Sequence, residues 1–138
     1  MIVVVDTNFL FALKANKDKN RDRAIEIFRD FSDNKHELLT NYFVVSEVLT
    51  LANSRSSGDI SLLEKIYSLI WGDEKIIKLH QFTLNEYQKI YDTLRKYSTP
   101  KRLLSFVDAS LIYLYQKVNA DHILSFDSHF DQITSRLF

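Results

Sequence analysis

At 138 residues the chain has the length of one compact domain and leaves no room for two. Its 18 Lys plus Arg balance 18 Asp plus Glu, so the strong basicity of many nucleic-acid binders is absent, while 46% hydrophobic and 13% aromatic residues exclude disorder. Two Gly and one Pro rule out a Gly-rich phosphate loop and a turn-dense β-sandwich, and the lack of Cys removes disulfides, thiolate-bound zinc and thiol catalysis.

Met1 to Val5 is a short β-branched run that predicts a strand buried on both faces, and Asp6-Thr7-Asn8 before Phe9-Leu10-Phe11-Ala12-Leu13 predicts a helix beginning immediately after it. A mixed-charge stretch from Lys14 to Arg23 leads into a second helix, striped by Ala24, Ile27, Phe28 and Phe31. Glu37 to Thr40 reads as a second strand, and Tyr42 to Arg55 as a helix ended by Ser56-Ser57-Gly58-Asp59. Helices over Ile60 to Trp71, Leu84 to Tyr97 and Phe106 to Val118 follow, with strands at Lys75 to Leu79 and His122 to Phe126. The tail from Ser128 to Phe138 reads as a helical turn and a last edge strand. This alternation predicts a single α/β domain over 1–138, three layers with a four- to five-stranded, mainly parallel sheet. The start of the chain has no basic n-region and no apolar run is long enough to span a bilayer, so a soluble cytoplasmic protein is expected.

In such sheets ligands bind beyond the carboxyl ends of the strands. Asp6 ends the first strand, where it is either a helix cap or a metal ligand. Glu47 falls at the border of an apolar helix face; the alternative is a carboxylate reaching water. Asp108 shares a stripe with Leu111, Ile112 and Tyr115, and capping with Ser105 explains its place in the first turn but not its inward direction. Asp127 follows the strand at Ile123-Leu124-Ser125-Phe126, either as a turn residue or as a fourth ligand, with Asp131 an outer candidate. Converging carboxylates repel and take up protons or cations. An all-oxygen donor set suits Mg²⁺ or Mn²⁺ and supports phosphodiester hydrolysis.

Asp6-Thr7-Asn8 after a hydrophobic strand, Thr40-Asn41-Tyr42-Phe43-Val44-Val45-Ser46-Glu47, Leu104-Ser105-Phe106-Val107-Asp108-Ala109 and Ile123-Leu124-Ser125-Phe126-Asp127 resemble PIN-domain nucleases in order and spacing, with VapC-type toxins the nearest subgroup. The resemblance spans essentially the whole chain. It implies a five-stranded parallel sheet between helices and a Mg²⁺- or Mn²⁺-dependent endoribonuclease, the toxin of a toxin–antitoxin pair. On that pattern Asp6, Glu47, Asp108 and Asp127 are the acidic ligands and catalytic residues, with Thr7, Asn8 and Ser125 in support. It also implies a homodimer blocked by a small antitoxin protein, and products with a 5′-phosphate and a 3′-hydroxyl.

RNA affinity rests largely on Lys and Arg contacts to phosphates. Lys101 and Arg102 lie in a basic stretch leading into the Asp108 helix and are candidates for substrate binding. Lys14, Lys17, Lys19, Arg21 and Arg23 form a second patch, for which ordinary solvated loop charges are an equal explanation. The four His show no zinc spacing and read as surface or strand-end residues; only His129 lies near a proposed ligand. Tyr113 and Tyr115 cannot both face the core from one helix, so an exposed one is a candidate dimer contact. The alternatives are a PIN-like module that binds RNA or protein without cutting, and an RNA-processing nuclease that is not a toxin. An aspartyl phosphatase lacks its second Asp at Asn8, and a phospho-receiver needs a partner Lys near a late strand and a phosphorylatable Asp ending a middle one, whereas His80-Gln81 follows the third strand.

Overall fold

The structure, a computed structural model, describes residues 1–33 and 35–138. The strands are β1 (Ile2–Val5), β2 (Glu37–Asn41), β3 (Ile77–His80), β4 (His122–Leu124) and β5 (Arg136–Leu137). The helices are α1 (Thr7–Lys14), α2 (Arg21–Phe31), α3 (Tyr42–Arg55), α4 (Ile60–Ile70), α5 (Leu84–Tyr97) and α6 (Phe106–Lys117), and a 3₁₀ turn covers Ser128–Phe130. The expected α/β domain is present, and its five strands are all parallel in the order β3-β2-β1-β4-β5.

That order follows from right-handed crossovers. Two successive steps from β1 to β2 to β3 put α1 through α4 on one face. The return from β3 to β4 puts α5 and α6 on the other. β1 is therefore covered on both sides, and Val3, Val4 and Val5 are fully buried, each worth about 1.5–3 kcal/mol of transfer free energy. Phe9, Leu10, Leu111, Ile112, Ile123 and Phe130 complete this centre.

Local chemistry sets the ends of the elements. Asn41 is buried and its side chain accepts from the amides of Phe43 and Val44, so β2 turns into α3 with no intervening loop. α6 closes on Asn119 at φ +53, where the amide of Ala120 donates to Tyr115 O and that of Asn119 to Gln116 O. This pairing caps the helix and aims the chain into β4.

Two of the expected strand limits move by two residues, and three others by one. β3 begins at Ile77 and not at Lys75, because Lys75 has φ +40 and the amides of Lys75 and Ile76 donate back to the end of α4 at Ser68 and Leu69. β4 stops at Leu124 instead of Phe126, because the amide of Phe126 is taken by the Asn8 side chain. α1 starts at Thr7, immediately after the first strand as expected, with Asp6 as its cap. Neither tyrosine of α6 is left exposed: Tyr113 donates to Glu86, and the hydroxyl of Tyr115 accepts from the amide of Ser135. No described helix is long and apolar enough to cross a membrane.

Candidate metal centre at the switch point of the sheet

After β1 the chain crosses to β2 on one side, while β4 returns on the other. The crevice beyond the carboxyl ends of β1 and β4 is thus the switch point where α/β sheets place their ligands. Asp6 follows β1 directly, and Asp127 comes three residues after the end of β4. The amide of Asp6 still donates to Leu124 O, which ties the two strand ends together.

Asp6 is only 4% exposed. Its Oδ1 accepts from the amide of Thr7 at 2.6 Å, and its Oδ2 accepts from Ser125 Oγ at 2.7 Å. Both bonds favour the carboxylate, yet burial outweighs them, and the negative charges of Asp108 and Glu47 push in the same direction. The Asp6 carboxyl is raised from 3.8 to about 7. The repulsion also records that α3 and α6 bring Glu47 and Asp108 near Asp6, although 41 and 102 residues separate them in the chain.

Ser125 is fully buried and serves two strands at once: besides donating to Asp6 it accepts from the amide of Asp127 at 3.0 Å. Asn8 lies one residue into α1, where its Oδ1 accepts from the amide of Phe126 at 2.9 Å and its amide lies 3.5 Å from Ser125 Oγ. Thr7 is buried, and its hydroxyl has no partner among the described residues.

Asp108 and Asp127 each keep the modest role that helix chemistry suggests while also facing the site. Asp108 completes a capping box with Ser105, its Oδ2 accepting from the Ser105 amide at 2.9 Å. Asp127 Oδ1 caps the 3₁₀ turn at the amide of His129. The same turn swings the His129 imidazole between them, with Nδ1 at 3.4 Å from Asp108 Oδ2 and 3.3 Å from Asp127 Oδ2. Ligand atoms of Asp108, Asp127 and His129 all lie within 4.8 Å of one another. Glu47 is exposed, on the wall of a groove of about 440 Å³ shared with Tyr42, Phe43 and Val107.

His129 is the member that spacing alone missed. Its signal was its place two residues beyond an acid that ends a strand, the reach of a single capped turn. Of the two basic candidates, Lys101 is exposed. Arg102 is half-buried, and its Nη1 donates to Asp131 O at 2.7 Å, so part of its guanidinium is engaged in holding the last turn.

The donor set fits a hard divalent cation. It is made of carboxylate oxygens, one of them buried and held up in pKa by its neighbours, and a cation relieves both penalties. Among the described residues Asp108 and Asp127, with His129, offer ligand atoms within 4.8 Å of one another, while buried Asp6 and exposed Glu47 lie outside that group. His129 adds a nitrogen donor at the rim.

No curated protein matches the chain in sequence. Among solved structures it is similar to VapC20 of Mycobacterium tuberculosis, described as a sarcin-ricin loop cleaving toxin, with a TM-score of 0.79 at 20% identity over 93% of this chain and 92% of that one. It is also similar to VapBC2 of Rickettsia felis, solved bound to a DNA fragment from their promoter, with a TM-score of 0.69 at 14% identity over 99% of this chain and 98% of that one. At these identities the likeness is one of fold. The PIN domain family model matches residues 3–135, nearly the whole chain, and the chain therefore belongs to the PIN domain family of nucleases.

Proposed function

We propose that the protein is a Mg²⁺- or Mn²⁺-dependent endoribonuclease, the toxin of a VapBC-like toxin–antitoxin pair. The observation that carries this reading is the buried Asp6 carboxyl at the switch point, held near neutrality by burial and by two further acids. An uncompensated group of this kind costs stability, and a divalent ion repays it.

Asp6, Glu47, Asp108 and Asp127 are the proposed ligands. A bound ion would supply positive charge for a scissile phosphate and lower the pKa of a water molecule. The chain's own residues do the positioning. Ser125 holds Oδ2 of Asp6 in one direction and keeps its oxygen on the amide of Asp127, so the two strand-end acids move as a unit. Asn8 is locked by the Phe126 amide and presents its side-chain amide towards Ser125. His129 Nδ1 lies between the two acids, 3.4 Å from Asp108 Oδ2 and 3.3 Å from Asp127 Oδ2.

Structural likeness to VapC20 and VapBC2 supports the toxin reading and an antitoxin partner. Exposed Tyr42, Leu84, Leu103 and Phe106 support a homodimer. The test is cleavage of a structured RNA panel with Mg²⁺, Mn²⁺ or EDTA. Cleavage is expected with either metal, none with EDTA, and none by Asp6→Asn. A carefully purified, fully active Asp6→Asn would end the assignment.

A further inference from the structure

A second concave site lies away from the acids. A cleft of about 770 Å³ opens where the connection from α1 to α2 faces the connection from α3 to α4. Lys14, Lys17, Lys19, Arg55 and Lys65 line it, against the two acids Asp18 and Asp59. In a chain whose formal charge is zero, this is a concentrated positive site.

Both acids are turned to backbone. Asp18 Oδ1 accepts from the amide of Asn20, and Asp59 Oδ1 caps α4 at the amide of Ser61. The cations are mostly uncommitted. Lys14 pairs with Glu74 at 2.7 Å, but Lys17, Lys19 and Lys65 are exposed and take part in no ion pair among the described residues. Arg55 lies over the Phe11 ring at 5.3 Å, which fixes its guanidinium on the wall while leaving its donors for a ligand.

The cleft is also in line with the acids. α1 begins beside Asp6 and ends at Lys14, and α3 runs from the Glu47 turn to Arg55. Eight residues on either helix span about 12 Å. A stacked strand with one phosphate per ~3.4 Å covers that distance in three to four nucleotides.

We propose that this cleft is an exosite for the phosphate backbone of a single-stranded RNA whose scissile bond lies at the Asp6 site. The identity of the polyanion rests on the ribonuclease reading above. The cleft carries no exposed aromatic side chain for bases to stack on, so its contacts are sequence-independent and salt-sensitive. Phosphodiester backbone is favoured over an acidic peptide because it matches the charge and can follow α3, which is exposed at Glu47, Thr50, Ser54 and Arg55, towards the acids, whereas α1 is buried from Phe9 to Leu13.

The test is binding of a labelled 20-nucleotide single-stranded RNA in EDTA, measured by fluorescence anisotropy across a salt series. Lys17→Gln/Lys65→Gln is compared with wild type and with Lys78→Gln/Lys89→Gln, a matched charge loss outside the cleft. Two lost phosphate contacts lower the salt slope by about 1.4 and the low-salt affinity by about tenfold or more. Cleavage of a three-nucleotide substrate in Mn²⁺ is expected to stay at the wild-type rate. If Lys17→Gln/Lys65→Gln binds like wild type or like the matched control, the exosite is refuted while the nuclease reading stands. If the cleft variant loses RNA binding but the wild type cuts nothing in Mn²⁺, the cleft binds RNA, but the nuclease reading falls and takes with it the scissile bond at Asp6, which overturns the exosite. Binding of a polyglutamate peptide at these lysines, with no binding of RNA, also overturns the proposal.

Discussion

Replacing Asp6 by Asn is expected to stabilise the metal-free protein while abolishing its activity. The folded state holds the Asp6 carboxyl near pH 7, whereas the unfolded chain releases that proton near 3.8. Between those values the unfolded state binds fewer protons than the folded one, so this group makes stability fall as pH rises. Its contribution is fully retained below about pH 4 and lost once pH passes through 7. From 3.8 to about 7, at roughly 1.4 kcal/mol per pH unit, the loss is about 4 kcal/mol. Against the 5–15 kcal/mol typical of a domain this is a large fraction. Asn resembles the protonated acid: its Oδ1 keeps the bond from the Thr7 amide, and Ser125 Oγ rotates to accept where it had donated. Urea unfolding in EDTA should therefore show the advantage of Asp6→Asn growing from near zero at pH 4 to about 4 kcal/mol at pH 8. Mn²⁺ at 100 times Kd should shrink that advantage to about 1 kcal/mol, since binding adds about 2.7 kcal/mol to the wild type alone. Parallel pH profiles for the two proteins in EDTA would refute the claim that Asp6 is a strained, desolvated carboxyl.

Other substitutions probe the supports of the site. Ser125→Ala removes a bond that favours the Asp6 carboxylate and should weaken Mn²⁺ binding about tenfold by titration calorimetry, with the fold unchanged by circular dichroism. Asn41→Ala strips the buried cap of α3 and its bond to Ser110 Oγ; a thermal melt should show a loss of about 1–2 kcal/mol. Glu86 is buried between α5 and α6, and Lys117, the Thr83 amide and the Tyr113 hydroxyl hold its carboxyl down at about 2. Because that value lies below the 4.5 of the free side chain, its stabilisation is present above about pH 4.5 and fades as pH falls towards 2. Lys117→Met should cost roughly 1–3 kcal/mol at pH 7 and remove much of that acid sensitivity.

The fold and the positions of Asp6, Asp108 and Asp127 in it were legible in the sequence. Parallel strands announce themselves as β-branched runs, and the residue after each run must sit at the sheet's carboxyl edge, as Asp6 and Asp127 do. Asp108 was legible because a helical stripe with an acid in it has to point that acid inward. What a linear pattern does not carry is the geometry of short turns. Ser128–Phe130 folds as a 3₁₀ turn capped by Asp127, and only that closure sets His129 between two carboxylates. Lys75 likewise belongs to an apolar-flanked run, but its positive φ and bonds to α4 withdraw it from β3. The basic patch after α1 read as ordinary loop charge because its counterparts, Arg55 and Lys65, come from a segment some forty residues away.

The most direct measurement of the central claim is the anomalous scattering of Mn²⁺ in crystals of the wild-type protein. A peak within coordination distance of the Asp6 carboxylate, shared with oxygens of Asp108, Asp127 or Glu47, is the predicted result. Ordered crystals in millimolar Mn²⁺ whose Asp6 carboxylate carries no such peak would contradict the assignment of these acids as a metal centre.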